Sequence, residues 1–297
     1  MKNSTSSLRD QLADYAWRAW SALGVAGWNR DACAACIDID ALVLLTGRLG
    51  DTDPRLRDES IDWCVSNLAL VSRSRLAHLL GKDSAQGGFA EYAATLQRAT
   101  KQRWPGAGTA FEWTPSHKSR TPTSAEGATL ALRCRALFGA TARSEIVRIL
   151  IMQESDRPLD ARELALEAAY TKRSVSEALD SLRIAGIVAQ TRVGNSHRYH
   201  FQRRAVVESL LGPLPRVRTS QRAFCRVLWA VLHTHVATAS APDRVQHVEG
   251  ARLAAELAAD IRVVDSNAPV LADAAPTLDD LLAWAVAEME GFWRGSP

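Results

Sequence analysis

Seven basic residues lie between Thr171 and Arg204: Lys172, Arg173, Arg183, Arg192, Arg198, Arg203 and Arg204. Within that window only Glu177 and Asp180 oppose them. Guanidinium and ammonium groups at this density suit phosphate oxygens. Interleaved with them are Thr171, Ser174, Ser176, Asn195 and His197, short polar side chains able to meet base edges and sugar–phosphate groups. The chemistry implied is recognition of double-stranded DNA, not the making or breaking of bonds. Lys172, Arg173, Ser174 and Ser176 are expected to reach bases and phosphates in the major groove, with Thr171 and Arg183 flanking them. Arg192, Asn195, His197 and Arg198 are expected to grip the neighbouring backbone or minor groove.

Catalytic and metal-binding arrangements are poor by comparison. Asp38-Ile39-Asp40 pairs two carboxylates, but no glycine-serine turn precedes it, and Asp38 suits the N-cap of a helix. Gly81-Lys82-Asp83 lacks the upstream glycine and following hydroxyl of a phosphate-binding loop. His233 and His235 stand two apart in a helical stretch and therefore point to different faces. Cys33 and Cys36 form a C-x-x-C, but Cys64, Cys134 and Cys225 supply no second pair for zinc. No charged neighbour lies between the two thiols to activate them, so they read as structural. Neither an enzymatic activity nor a cofactor nor a metal is expected.

The candidate DNA-contacting residues need elements to hold them. RSEIVRILIMQ reads as an apolar helix from Arg143. In DARELALEAAY the apolar residues Ala161, Leu164, Ala165 and Ala168 recur at helical spacing, with Asp160 as N-cap and Glu163 completing a capping box. Thr171 caps the next helix, whose buried stripe is Val175, Ala178, Leu179 and Leu182. Gly186 supplies the stop. From Ile187 to Phe201 the pattern alternates as paired strands about a tight turn at Gly194-Asn195, with Val188, Tyr199 and Phe201 on the packed side.

From about Ser144 to Phe201 this order resembles the winged helix-turn-helix of the MarR and ArsR groups of bacterial transcription regulators. The run SVSEALDSLRIAGIVAQTRVGNSHRYHF is similar to their recognition helix, its L-x-x-A-G-[LI]-V end and the wing. The resemblance implies a homodimeric repressor that binds a DNA operator. Metal sensing is not carried over, because the cysteine-bearing recognition helix of metal-sensing ArsR relatives is lacking. Winged helices also dock proteins, and the alternative is an antitoxin or defence-system adaptor that uses this module and its helical flanks for protein–protein interaction.

The rest of the chain reads as mainly α. Residues 1–104 are expected as a helical N-terminal domain, with helices near 8–23, 39–48, 55–68, 72–80 and 89–104. Residues 105–127, rich in Pro, Gly, Ser and Thr, read as a linker or a long exposed crossing. The winged-helix domain takes 128–204, led in by a helix near 129–138. A helical C-terminal region, 205–297, with helices near 222–236, 248–258 and 277–293, is expected to serve dimerisation or to bind a small-molecule or protein effector. The stretch Arg55 to Leu80, with its run RDESIDWCVSNLALVSRSRLAHLL, faintly suggests a second helix-turn-helix but reads better as a packed helical pair. All nine tryptophans lie outside the winged segment, so the large aromatic cores or interfaces belong to the flanks.

A net charge of +3 over 297 residues decides little by itself, and 47% hydrophobic content suffices for sizeable cores. No apolar run approaches a membrane span, MKNSTSSLRDQLADY is unlike a secretory signal, and five scattered cysteines make no disulfide framework. A cytoplasmic location is the expectation.

Overall fold

The computed structural model describes residues 2–27, 34–81, 88–106, 108–122, 126–153, 157–272 and 275–294. The protein is mainly helical with a small antiparallel sheet. Its N-terminal helices are α1 (Lys2–Ala22), α2 (Ile39–Leu49), α3 (Pro54–Ser66), α4 (Arg73–Leu80) and α5 (Phe89–Thr100). Asp38 caps α2 as expected, its Oδ1 accepting from the Ala41 N–H. Because α2 is apolar on nearly every side, it is buried nearly all round, enclosed by α1, α3, α4, α5 and a later helix.

Residues 108–122 run without regular structure along this bundle and are held to it. The Arg120 N–H donates to Gly24 O at 2.9 Å, the Trp113 indole to Asp58 O at 3.1 Å, and Ser116 to Glu59 at 2.8 Å. A Cβ on Gly24 would meet Arg120 O at 1.7 Å, so the close approach requires glycine there.

Next come α6 (Leu130–Phe138), α7 (Ala142–Met152), β1 (Leu159–Asp160), α8 (Ala161–Ala168), α9 (Lys172–Ile184), β2 (Val188–Val193) and β3 (Ser196–Phe201). The sheet order is β1-β3-β2, with Leu159 opposite Tyr199 and Val188 opposite Phe201. Strand β1 was not anticipated. Only two residues long, it carries no period of its own and exists because β3 pairs with it.

The remaining elements are α10 (Arg204–Leu211), α11 (Gln221–Thr238), α12 (Asp243–Val264), α13 (Pro269–Ala272) and α14 (Leu278–Arg294). Both α10 and α13 are additions to the sequence reading, and α12 extends well beyond the expected 248–258. The last helices return to the first: Tyr15 of α1 meets Phe224 of α11 and Phe292 of α14 edge-on. One apolar cluster runs through the whole assembly. The tryptophans, read from the sequence as cores or interfaces, are mostly interior: Trp17, Trp20, Trp63, Trp104, Trp229 and Trp284 are buried within the chain, while Trp28 lies outside the described residues. Among those residues, no helix is long and apolar enough to cross a membrane.

Candidate nucleic-acid interface

Local sequence sets the position of α9. Thr171 Oγ1 accepts from the Ser174 N–H, while Val175, Ala178, Leu179 and Leu182 are buried against α7, α8 and β2. Each such Val or Leu contributes about 1.5–3 kcal/mol. Gly186 follows the helix with φ +68°, as its C′ place demands. Upstream, Asp160 accepts from the Arg162 and Glu163 N–H groups, and Glu163 accepts from Asp160 N, a complete capping box.

That arrangement leaves Lys172 and Arg173 exposed at the start of α9 and Ser176 half-buried. Arg173 reaches Glu177 at 2.9 Å, and Arg183 lies 3.7 Å from Asp180. Exposed pairs of this kind are weak, so both guanidiniums can be diverted to a phosphate. Thr171 and Ser174 are partly engaged with each other, Oγ to Oγ at 2.9 Å. At the hairpin, Val193 opposes Ser196 across Gly194-Asn195, and Gly194 takes φ +60°. Asn195, His197 and Arg192 are exposed, and Arg192 Nε donates to Gly194 O at 3.1 Å.

Arg198 is placed differently. Strand alternation puts Val188, Gln190 and Arg192 on one face with His197, Tyr199 and Phe201, and Arg198 on the other. There its Nη1 meets Glu163 at 2.8 Å, with Asp160 at 3.9 Å. Arg204 likewise turns inward, donating to the carbonyls of Leu150, Ile151 and Gln153 at the end of α7, and pairs with Glu208. The basic window is thus opposed by more acids than its own sequence contains.

Sequence reasoning missed what fixes the turn between α8 and α9. Ala169 is left-handed at φ 54°, a conformation that costs a non-glycine residue about 1 kcal/mol. On either side it is held: Arg75 Nε donates to Ala168 O at 2.7 Å, and the Tyr170 hydroxyl meets Ser72 Oγ at 2.6 Å. Arg75 belongs to a buried cluster of six charges. It grips Asp38 through Nη1 at 2.5 Å and Nη2 at 2.7 Å; Arg135 joins Asp40 and Glu145, both at 2.7 Å; Arg148 Nε meets Glu145 at 2.9 Å. Burial alone would raise the Glu145 carboxyl, but Arg75, Arg148 and Arg135 outweigh it and hold it down at about 2. Asp38 is lowered by the same contest, and the three guanidiniums are raised because the carboxylates outweigh their burial.

The Asp38/Asp40 pair is therefore enclosed by arginines. Among the described residues no group of His, Cys, Asp and Glu could hold a metal ion. Cys36 is buried, and burial pushes its thiol up to about 11; Cys33 lies outside the described residues, as do Lys82 and Asp83. His233 is exposed against Trp229, and His235 is half-buried. Compared with known proteins, the chain matches no family model, no curated protein and no solved structure.

Proposed function

We propose that the chain is a sequence-specific regulator of transcription, probing double-stranded DNA as a homodimer through a winged helix made of α7, β1, α8, α9, β2 and β3. The observation that carries the reading is the arrangement of α9: a capped helix, packed on one face, with Lys172, Arg173 and Ser176 at its free N-terminal end and an exposed hairpin beside it. That geometry suits a recognition helix in the major groove and a wing on the flanking backbone. Resemblance to the MarR and ArsR groups supports repression and the dimer; the buried tryptophans do not add to the case for a dimer.

Protein docking is a second reading, favoured by Ile184 on α9 and Val193 on the hairpin, 83% and 58% exposed. One experiment separates the two. The purified full chain is incubated with sheared genomic DNA from its source, and the retained fragments are sequenced. Enrichment of one palindromic site is expected, and Arg173→Ala should weaken binding to it by about 1–3 kcal/mol and relax its base preference. Fragments retained without sequence preference, or an unaltered Arg173→Ala profile, would favour docking.

A further inference from the structure

We propose that a cleft between the α7–α8 pair and the α11–α12 pair is a binding site for a small amphipathic organic anion. The cleft encloses about 690 Å³, a volume typical of small-molecule sites. Arg148, Met152 and Leu166 lie on one side; Arg218, Arg222 and Val263 lie on the other. Five arginines line it against three carboxylates; with Arg148 offset inside the six-charge cluster, four arginines face those three acids, which favours a ligand carrying negative charge.

Two of those arginines are buried without full hydrogen bonding. The Arg148 side chain is 5% exposed; its Nε serves Glu145, its Nη1 finds only the Met152 sulfur at 3.9 Å, and its Nη2 has no hydrogen-bond partner among the described residues. Asp38 is the nearest carboxylate to that nitrogen, at 3.6 Å. Arg222, 9% exposed, gives its terminal nitrogens to Glu167 and Asp260 and leaves Nε unbonded among the described residues. Neither nitrogen is open to the cleft, so a ligand there would meet the guanidinium charge and not these two donors. Beside them, Arg218 donates to Met152 O at 3.3 Å and, among the described residues, to nothing else.

The body of the ligand follows from the other lining. Leu166 of α8 is 70% exposed and Val263 of α12 is 48% exposed, although both line the cleft. Apolar surface facing a guanidinium-lined floor fits a molecule with an acidic head and a hydrocarbon body. Inorganic phosphate offers only the head, and an alcohol of equal length only the body.

Calorimetric titration of the full chain with sodium octanoate, 1-octanol and inorganic phosphate tests this without DNA, so its outcome is independent of the regulator reading. Octanoate should bind saturably at one site, with the alcohol and phosphate each at least about tenfold weaker. Leu166→Glu and Arg218→Gln alter exposed and half-buried positions outside the six-charge cluster. Each should weaken octanoate binding by about tenfold with the melting temperature unchanged. Absence of a saturable octanoate heat, phosphate binding as tightly as octanoate, or wild-type affinity in both variants would overturn the site.

Discussion

Arg192 and Arg198 flank the same turn, yet the pleat sends them to opposite faces, and among the described residues Arg198 pairs with a carboxylate while Arg192 does not. In the proposed DNA complex, Arg192→Ala should therefore lower the slope of log K against log salt by about one phosphate contact and leave folding intact. Arg198→Ala should leave that slope unchanged and cost about 1 kcal/mol or less of stability, since its pair with Glu163 is partly solvated. Anisotropy titrations across a salt series decide between them; equal slope losses would place Arg198 on the phosphates. The spacing contains this distinction, although the sequence reading placed both arginines on the nucleic-acid backbone. A two-residue turn at Gly194-Asn195 pairs Arg192 with His197, which puts Arg198 on the other face. What the sequence window hid was the acid, because Glu163 lies far upstream and meets Arg198 only once β1 and α8 are in place.

At the scale of elements, caps and stripes were readable because their causes are local: Asp160 with Glu163, Thr171 with Ser174, Gly186, and the four buried residues of α9. The six-charge cluster was not, because Asp38, Arg75, Arg135 and Glu145 come from segments joined only by tertiary packing across α2, α4, α6 and α7. In sequence, Asp38 announced an N-cap and a carboxylate pair with Asp40, and gave no sign of the arginines that meet it. The cluster makes a pH prediction. Glu145 has a lower folded than unfolded pKa, so its contribution to stability is present above about 4.5 and drains away as the pH falls toward about 2. Glu145→Gln should be less stable than wild type at neutral pH by about 3–5 kcal/mol, because guanidiniums lose a buried counter-charge. Its acid-unfolding curve should also be shallower over that window. Urea melts at a series of pH values measure both; parallel curves would show that Glu145 does not carry the acid sensitivity.

For the whole molecule, boundaries drawn from composition do not coincide with the lines of force. Residues 105–127 look like a linker in composition, yet 108–122 are bonded to α3 and to the Gly24 turn. Ile37 N donates to Ala128 O, and Ala35 bridges Val217. The charge cluster is divided in the same way. Asp38, Asp40 and Arg75 leave one negative charge before residue 128, and Arg135, Glu145 and Arg148 leave one positive charge after it. A fragment of residues 128–204 should therefore fail to fold cooperatively. Circular dichroism melts of that fragment check this, and a sharp transition like that of the full chain would show the proposed winged helix to be self-sufficient. The same division bears on synthesis. On the ribosome, α1 to α5 emerge with Asp38 and Asp40 sharing a single arginine, and the counter-charges arrive only when Arg135 and Arg148 leave the exit tunnel. The Asp38 N–H gains its buried partner later still, with Gln221. The first hundred residues should therefore complete their buried polar contacts only after most of the chain has been made.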